Sequence, residues 1–288
     1  MAAASAPLPA DRPRTREFLV GWAAATAVAV VLVVVVVGPH LPPGNLSVES
    51  RDQREINTLL LALSMPVLLG VWGYLIFALR SFRHRGETIV DGPPIMGNDR
   101  LQVAWVAATS AIVIALAAFG TIELVGAGEA GAGGGQGPNP LASPAHSGSA
   151  VQVQVVAQQW AFTFRYPGAG GVETDQLALP AGRVTELHVT SLDVAHSFWA
   201  YELGVKADAI PGNDNVVFVR PRHPGTFTIR CAELCGLWHG HMHSTGTVLS
   251  PSAFSAWLAR QRSGNAPATK TLPPYRLHYF PDPIRRAG

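Results

Sequence analysis

Cysteine is nearly absent: only Cys231 and Cys235 occur in the 288 residues. A framework of several disulfides is therefore excluded. No Cys-x-x-Cys-His run occurs, so the chain cannot attach a c-type haem covalently. Charge is scarce as well. Charged residues make up 14% of the chain, mean hydropathy is +0.21 and the net charge is +2. No nucleic-acid partner is expected from such a chain. After the first apolar run comes Gly-Pro-His-Leu-Pro-Pro-Gly, which lacks a small-x-small cleavage signal, and no cysteine follows that could carry a lipid.

What is present divides into an apolar half and a polar half. The stretches 18–38, 56–79 and 101–122 contain no charged residue. Each is long enough to cross a hydrocarbon core, which needs about 20 helical residues. Residues 29–37 are rich in valine, but the length of the run favours a helix over a strand. Pro66 is expected to kink the second helix, which neighbouring helices tolerate in lipid. Arg12, Arg14 and Arg16 precede the first run, and Arg80, Arg83, Arg85 and Arg100 lie between the second and third. The positive-inside rule places both segments in the cytoplasm. Residues 1–17 then form a cytoplasmic arm, while the loop 39–55 and everything beyond Ile122 lie outside the cell membrane. Three spans satisfy this topology, and so does removal of the first; the missing cleavage signal favours an uncleaved anchor.

Residues 126–149 are dominated by Gly, Ala, Ser and Pro and read as a flexible linker. Segments rich in β-branched residues follow at 151–156, 184–190, 216–220, 226–230 and 245–249, separated by turn residues. Residues 150–259 are expected to form an all-β, cupredoxin-like Greek-key barrel or sandwich. Phe254, Trp257 and Leu258 recur at helical spacing after Ser252, predicting a short terminal helix. Residues 260–288 carry several prolines and six bases, predicting an extended basic arm.

The chemistry concentrates in Cys231-Ala-Glu-Leu-Cys235-Gly-Leu-Trp-His239-Gly-His-Met242. Thiolate, imidazole and thioether together suit copper, whereas zinc sites seldom use methionine. A blue-copper centre needs one cysteine, two histidines and a weak axial methionine, so this segment has one thiolate too many. A second thiolate can instead bridge two copper ions and let them share an electron. The bridged pair needs a second histidine, and His196 in Asp193-Val-Ala-His-Ser-Phe-Trp is the candidate. Two cysteines in an oxidising compartment more often form a disulfide, but the flanking His and Met point to metal. His241 and His243 read as exposed loop histidines, His223 as a turn residue and Trp238 as packing near the site.

Over most of its length the chain resembles subunit II of the haem–copper cytochrome c oxidases. The patterns C-x-E-x-C-x3-H-x2-M and D-V-x-H-S-F-W carry that resemblance. It implies a dinuclear copper A centre bridged by Cys231 and Cys235, with His196 and His239 as terminal ligands. Met242 would be axial on one copper and the Glu233 carbonyl on the other. The Glu233 side chain would also reach a magnesium ion at the contact with subunit I, which carries the haems.

Gln159-Trp-Ala-Phe-Thr-Phe-Arg-Tyr-Pro167 resembles the aromatic segment of the same family, in which Trp160 takes electrons from the donor. Phe162 stands where a second tryptophan is common. Alternating aromatics that simply fill a core are the competing reading, and Phe164 and Tyr166 are expected to be core or edge residues. Between Val151 and Ser250 eight acidic side chains face six basic ones, a weak bias towards a basic donor. Asp193, Glu202 and Asp208 flank the His196 segment, either ringing a docking site or as solvated loop charges. Gly97-Asn-Asp-Arg-Leu-Gln-Val-Ala-Trp105 resembles the G-N-x-x-L-E-x-x-W that opens a membrane helix in the family. Gln102 replaces a glutamate associated with proton uptake and cannot ionise. Asn213 stands where an arginine is frequent.

The resemblance implies the electron-input subunit of a membrane oxidoreductase, taking electrons from cytochrome c and passing them to the haem–copper site of subunit I, where oxygen is reduced with proton translocation. Further oxidase subunits and the plasma membrane bilayer complete the expected partners. The alternatives are the copper A subunit of a nitric oxide reductase and a non-enzymatic, membrane-anchored copper-binding or delivery protein. A quinol-oxidase subunit lacks these ligands.

Overall fold

The computed structural model describes residues 15–81, 97–126 and 150–269. The chain divides into two compact units, one from residues 1–41 and 55–104, the other from 42–54 and 105–288. The cytoplasmic arm before Thr15, Arg83 and Arg85, the linker beyond Gly126 and the tail beyond Thr269 lie outside the described residues.

Helix α1 spans Thr15–Leu32 and continues through a π-helical turn at Val33–Val37 and a 3-10 turn at Gly38–His40. Helix α2 spans Val48–Ser81 and α3 spans Asp99–Gly126. At about 1.5 Å per residue each reaches across a hydrocarbon core. Their apolar side chains point outwards: Val35, Leu63, Val67 and Ile114 are all exposed. Lipid, not water, is the solvent such a surface suits. Within the first unit, Phe18 of α1 packs on Tyr74 and Phe77 of α2. Trp22 Nε1 donates to the Pro66 carbonyl at 2.9 Å. Gly70 and Gly73 make room for these rings, since a Cβ at either would lie 3.3 Å from Trp22 or Phe18. Helix α2 continues through Pro66 without a break.

The second helix also begins earlier than the apolar pattern predicts. Ser47 and Ser50 cap each other: Ser50 N donates to Ser47 Oγ, and Ser47 N to Ser50 Oγ, both at 2.9 Å. This polar start lies within the stretch read as a loop. Its residues belong to the second unit. Ser47 Oγ donates to the Leu203 carbonyl at 2.7 Å, and the buried Glu49 carboxylate accepts from Arg220 N.

Ten strands make up the β-domain: β1 Val151–Gln158, β2 Ala161–Tyr166, β3 Val172–Thr174, β4 Ala178–Pro180 and β5 Thr185–Ser191. Then follow β6 His196–Ala200, β7 Val205–Ala209, β8 Asn215–Val219, β9 Gly225–Cys231 and β10 His243–Leu249. One sheet has the order β3-β2-β1-β5-β8 and the other β4-β10-β9-β6-β7. The β1–β5 and β4–β10 pairs are parallel, the others antiparallel. Period-two alternation sends Val153, Val155 and Ala157 of β1 into the core, where they meet Phe198 and Ile229 from the opposite sheet. Phe162 and Phe164 stand edge-on to Phe198, with centroids 5.8 and 6.4 Å apart. The strand order and the connections between the sheets give the expected cupredoxin-like sandwich, preceded by three apolar helices.

Helix α4, Pro251–Thr269, closes one edge. Phe254 and Trp257 pack on Tyr166, whose hydroxyl donates to the Ala178 carbonyl at 2.9 Å and accepts from Ala178 N at 2.8 Å. Arg260 to Thr269, expected to begin an extended arm, instead continue this helix. A Ser250 cap nucleates it, with Ala253 N donating to Ser250 Oγ.

Candidate metal centre

The register of β6 against β9 builds the site. Phe198 pairs with Cys231, so His196, two residues earlier, projects beyond the end of β9. The chain then makes a closed loop, since Cys231 N donates to the Met242 carbonyl at 3.0 Å where β10 begins. Gly236 turns within this loop at φ +114°, a conformation L side chains rarely adopt. His239 N donates back to the Gly236 carbonyl and Met242 N to the His239 carbonyl.

The donors converge as a result. Cys231 Sγ and Cys235 Sγ lie 3.7 Å apart, and both thiols are free and buried. His196 Nδ1 is 3.7 Å from Cys231 Sγ, and His239 Nδ1 is 3.5 Å from Cys235 Sγ. Met242 Sδ lies 3.8 Å from Cys235 Sγ, and the Glu233 carbonyl 3.2 Å from Cys231 Sγ. One donor atom each from His196, Cys231 and Cys235 falls within 4.8 Å of the others. His196 and Met242 are buried, His239 is half-buried, and the Glu233 side chain is exposed.

Asp193 fixes the posture of His196. Its Oδ1 lies 2.9 Å from His196 Nε2, and its Oδ2 accepts from Gln159 N at 2.7 Å. A carboxylate that accepts a hydrogen bond from Nε2–H leaves Nδ1 as the lone-pair donor facing the sulfurs, which is how metal-binding imidazoles are held. Burial pulls the Asp193 carboxyl upwards, but the Gln159 N–H, the His196 ring and the Val194 N–H outweigh it and hold the group below its ordinary range. At Cys235 nothing outweighs burial: desolvation, then the neighbouring Cys231 thiol, push it up to about 11. A cation between the thiols is what would make two adjacent thiolates affordable. Soft sulfur and imidazole donors brought together in this way fit copper.

The sequence-derived residues sort clearly. Trp160 sits half-buried on the β1–β2 turn; a Cβ on Gly236 would lie 3.5 Å from its ring. Phe162, Phe164 and Tyr166 are core. Asp193 is exposed and its carboxylate holds His196. Glu202 accepts from Thr228 N and Oγ1 instead of standing free, and Asp208 is exposed. Trp238, expected to pack near the site, is 49% exposed and leans on His241. His223, His241 and His243 are exposed. Gln102 is exposed on the first turn of α3, where Asn98 Oδ1 caps Leu101 N. Sequence reasoning missed the role of Gln159, whose side-chain amide donates to the Cys235 carbonyl at 2.8 Å. It also missed Asp193 as the His196 partner. A carboxylate three residues before a candidate ligand was the available signal.

Apolar helices followed by a cupredoxin-like domain, with sulfur and imidazole donors gathered at one end, define a candidate copper-binding subunit. Residues 171–246 match the family model for the cytochrome c oxidase subunit II periplasmic domain. Cytochrome c oxidase subunit 2 of Synechocystis is 29% identical over 259 residues, covering 79% of this chain and 76% of that one. The Thermostichus vulcanus subunit is 28% identical over 89% of this chain and 90% of its own. The solved periplasmic domain of subunit II from Bradyrhizobium japonicum is 27% identical, with a TM-score of 0.39, covering 40% of this chain and 96% of that one. Over most of its length the chain is similar to cytochrome c oxidase subunit II, most specifically in its periplasmic domain. The relatives named here are subunits of an oxidoreductase complex.

Proposed function

We propose that this subunit feeds electrons from a cytochrome c through a dinuclear copper A centre to the haem–copper site of subunit I, where oxygen is reduced to water. The convergence of Cys231, Cys235, His196, His239, Met242 and the Glu233 carbonyl on one buried pocket carries this reading. These residues would hold the copper pair. When bound, it supplies one-electron transfer with little change in ligand geometry.

The remaining residues prepare that step. Asp193 keeps Nδ1 of His196 turned inwards, and the buried thioether of Met242 helps exclude water. Trp160 packs beside the Cys235–Gly236 segment and offers the short route by which the donor's electron arrives. The exposed Glu233 carboxylate is available to a magnesium ion at the contact with subunit I. Helices α1 to α3 anchor the subunit in the plasma membrane, with the copper domain on the extracytoplasmic side.

The test is made on the intact complex purified through this chain. It should contain haem and copper and consume oxygen with reduced cytochrome c. Consumption of nitric oxide without oxygen uptake would assign it to the reductases instead. A copper-loaded chain that purifies without haem would identify a copper-delivery protein.

A further inference from the structure

The first sheet contributes none of the candidate ligands, yet one residue on the turn between two of its strands touches both arms of the site. Gln159 lies on the turn between β1 and β2. Its backbone N–H donates to Asp193 Oδ2 at 2.7 Å, and Asp193 Oδ1 holds His196 Nε2. Its side-chain amide crosses to the other arm and donates to the Cys235 carbonyl at 2.8 Å. Gly236 follows, so close that a Cβ there would lie 3.0 Å from Gln159 Nε2. His196 comes from β6 and Cys235 from the loop after β9. Gln159 is thus the hydrogen-bonded bridge between two ligand-bearing segments 39 positions apart in the chain.

We infer that Gln159 is a positioning residue, which sets the distance between the His196 arm and the Cys235 arm and holds Trp160 against the latter. This rests on the copper reading above. A main-chain carbonyl next to a ligating sulfur cannot shift without moving that sulfur, so the amide of Gln159 acts on the metal through Cys235. Trp160 is its immediate neighbour, so the residue that fixes the sulfur also fixes the ring that would deliver the electron. Gln159 itself is exposed, and replacing it leaves the core untouched.

Gln159→Glu is the informative variant. It keeps size and main-chain contact but replaces the donor with an oxygen that faces the Cys235 carbonyl and cannot donate to it. In the full-length chain, wild type and variant are loaded with copper, and their visible and electron paramagnetic resonance spectra, reduction potential and resistance to a copper chelator are compared. Melting of the metal-free forms is followed alongside. We expect an altered spectrum, a shifted potential and a loss of copper affinity of about 10–100-fold, the usual cost of removing a ligand's supporting contact. Metal-free melting should be nearly unchanged. Spectra, potential and chelator resistance equal to wild type would overturn the assignment. So would a loss of affinity matched by an equal loss of metal-free stability, which would mark a merely structural contact. A wild-type chain that takes up one copper or none would instead overturn the copper reading itself.

Discussion

The Asp193 carboxylate stands 2.9 Å from Nε2 of His196, while Nδ1 of the same ring faces the Cys231 sulfur at 3.7 Å. One side chain thus orients a candidate ligand that is itself fully buried. Asp193→Asn keeps an acceptor near the ring but removes the charge that favours a proton on Nε2. Copper affinity should fall by about 10-fold or more, read by titration with a chelator. Affinity equal to wild type would show that the main-chain frame alone orients His196.

Trp160 carries no ligand atom but packs beside the Cys235–Gly236 segment. Trp160→Ala should retain its copper while reduction by the donor slows, as followed in a stopped-flow mixing experiment. Unchanged reduction of the fully metallated variant would remove Trp160 from the electron path. Phe162 separates the two roles an aromatic can take here. It is buried against Phe198, so Phe162→Ala should cost about 3–5 kcal/mol of stability in denaturant unfolding. A loss below about 1 kcal/mol would show that this part of the core closes over the gap.

Gly246 is covered by the ring of Phe227, its partner on β9, so that no Cβ fits without moving the ring. Gly246→Val should destabilise the domain by about 1–3 kcal/mol, with the copper spectrum preserved in the folded fraction. Unfolding indistinguishable from wild type would show that Phe227 can swing aside at no cost.

His188 on β5 lies between two carboxylates, 2.8 Å from Asp214 and 3.3 Å from Glu186. Burial alone would lower it, but hydrogen bonds and charge from Asp214 and then Glu186 raise it to about 9. A raised histidine stabilises the fold below its unfolded value of about 6.5, and the contribution is lost as pH climbs through about 9. Asp214→Asn should therefore cost about 2 kcal/mol at about pH 6 and much less at about pH 10, as read from denaturant unfolding of the metal-free chain. A gap that does not change with pH would mean the ring is neutral throughout.

The candidate ligand set was legible because five of its members lie within twelve contiguous residues and the sixth, His196, carries a recognisable flank. The helices were legible from length alone. Contacts between distant segments were not. Nothing in the spacing joins Gln159 to Cys235, or Ser47 to Leu203, because such pairs arise only when sheets and helix ends pack. The polar first turns of α2 escaped notice because hydropathy reports where a helix turns apolar, whereas the Ser47–Ser50 cap sets where it starts. In α4 the helix continues past Arg260, through polar residues that were read as the beginning of an arm. His188 was invisible as a site, since its two carboxylate partners come from its own strand and from the turn before β8.

A shared electron on two copper ions is tested by the copper-to-protein ratio taken together with the electron paramagnetic resonance spectrum of the purified chain. Two coppers per chain, with hyperfine structure from one electron spread over both nuclei, is the expected result. Replacing either Cys231 or Cys235 by serine should abolish that spectrum, while His241→Ala and His243→Ala should leave it intact. One copper per chain, or a Cys231–Cys235 disulfide in the native protein, would contradict it.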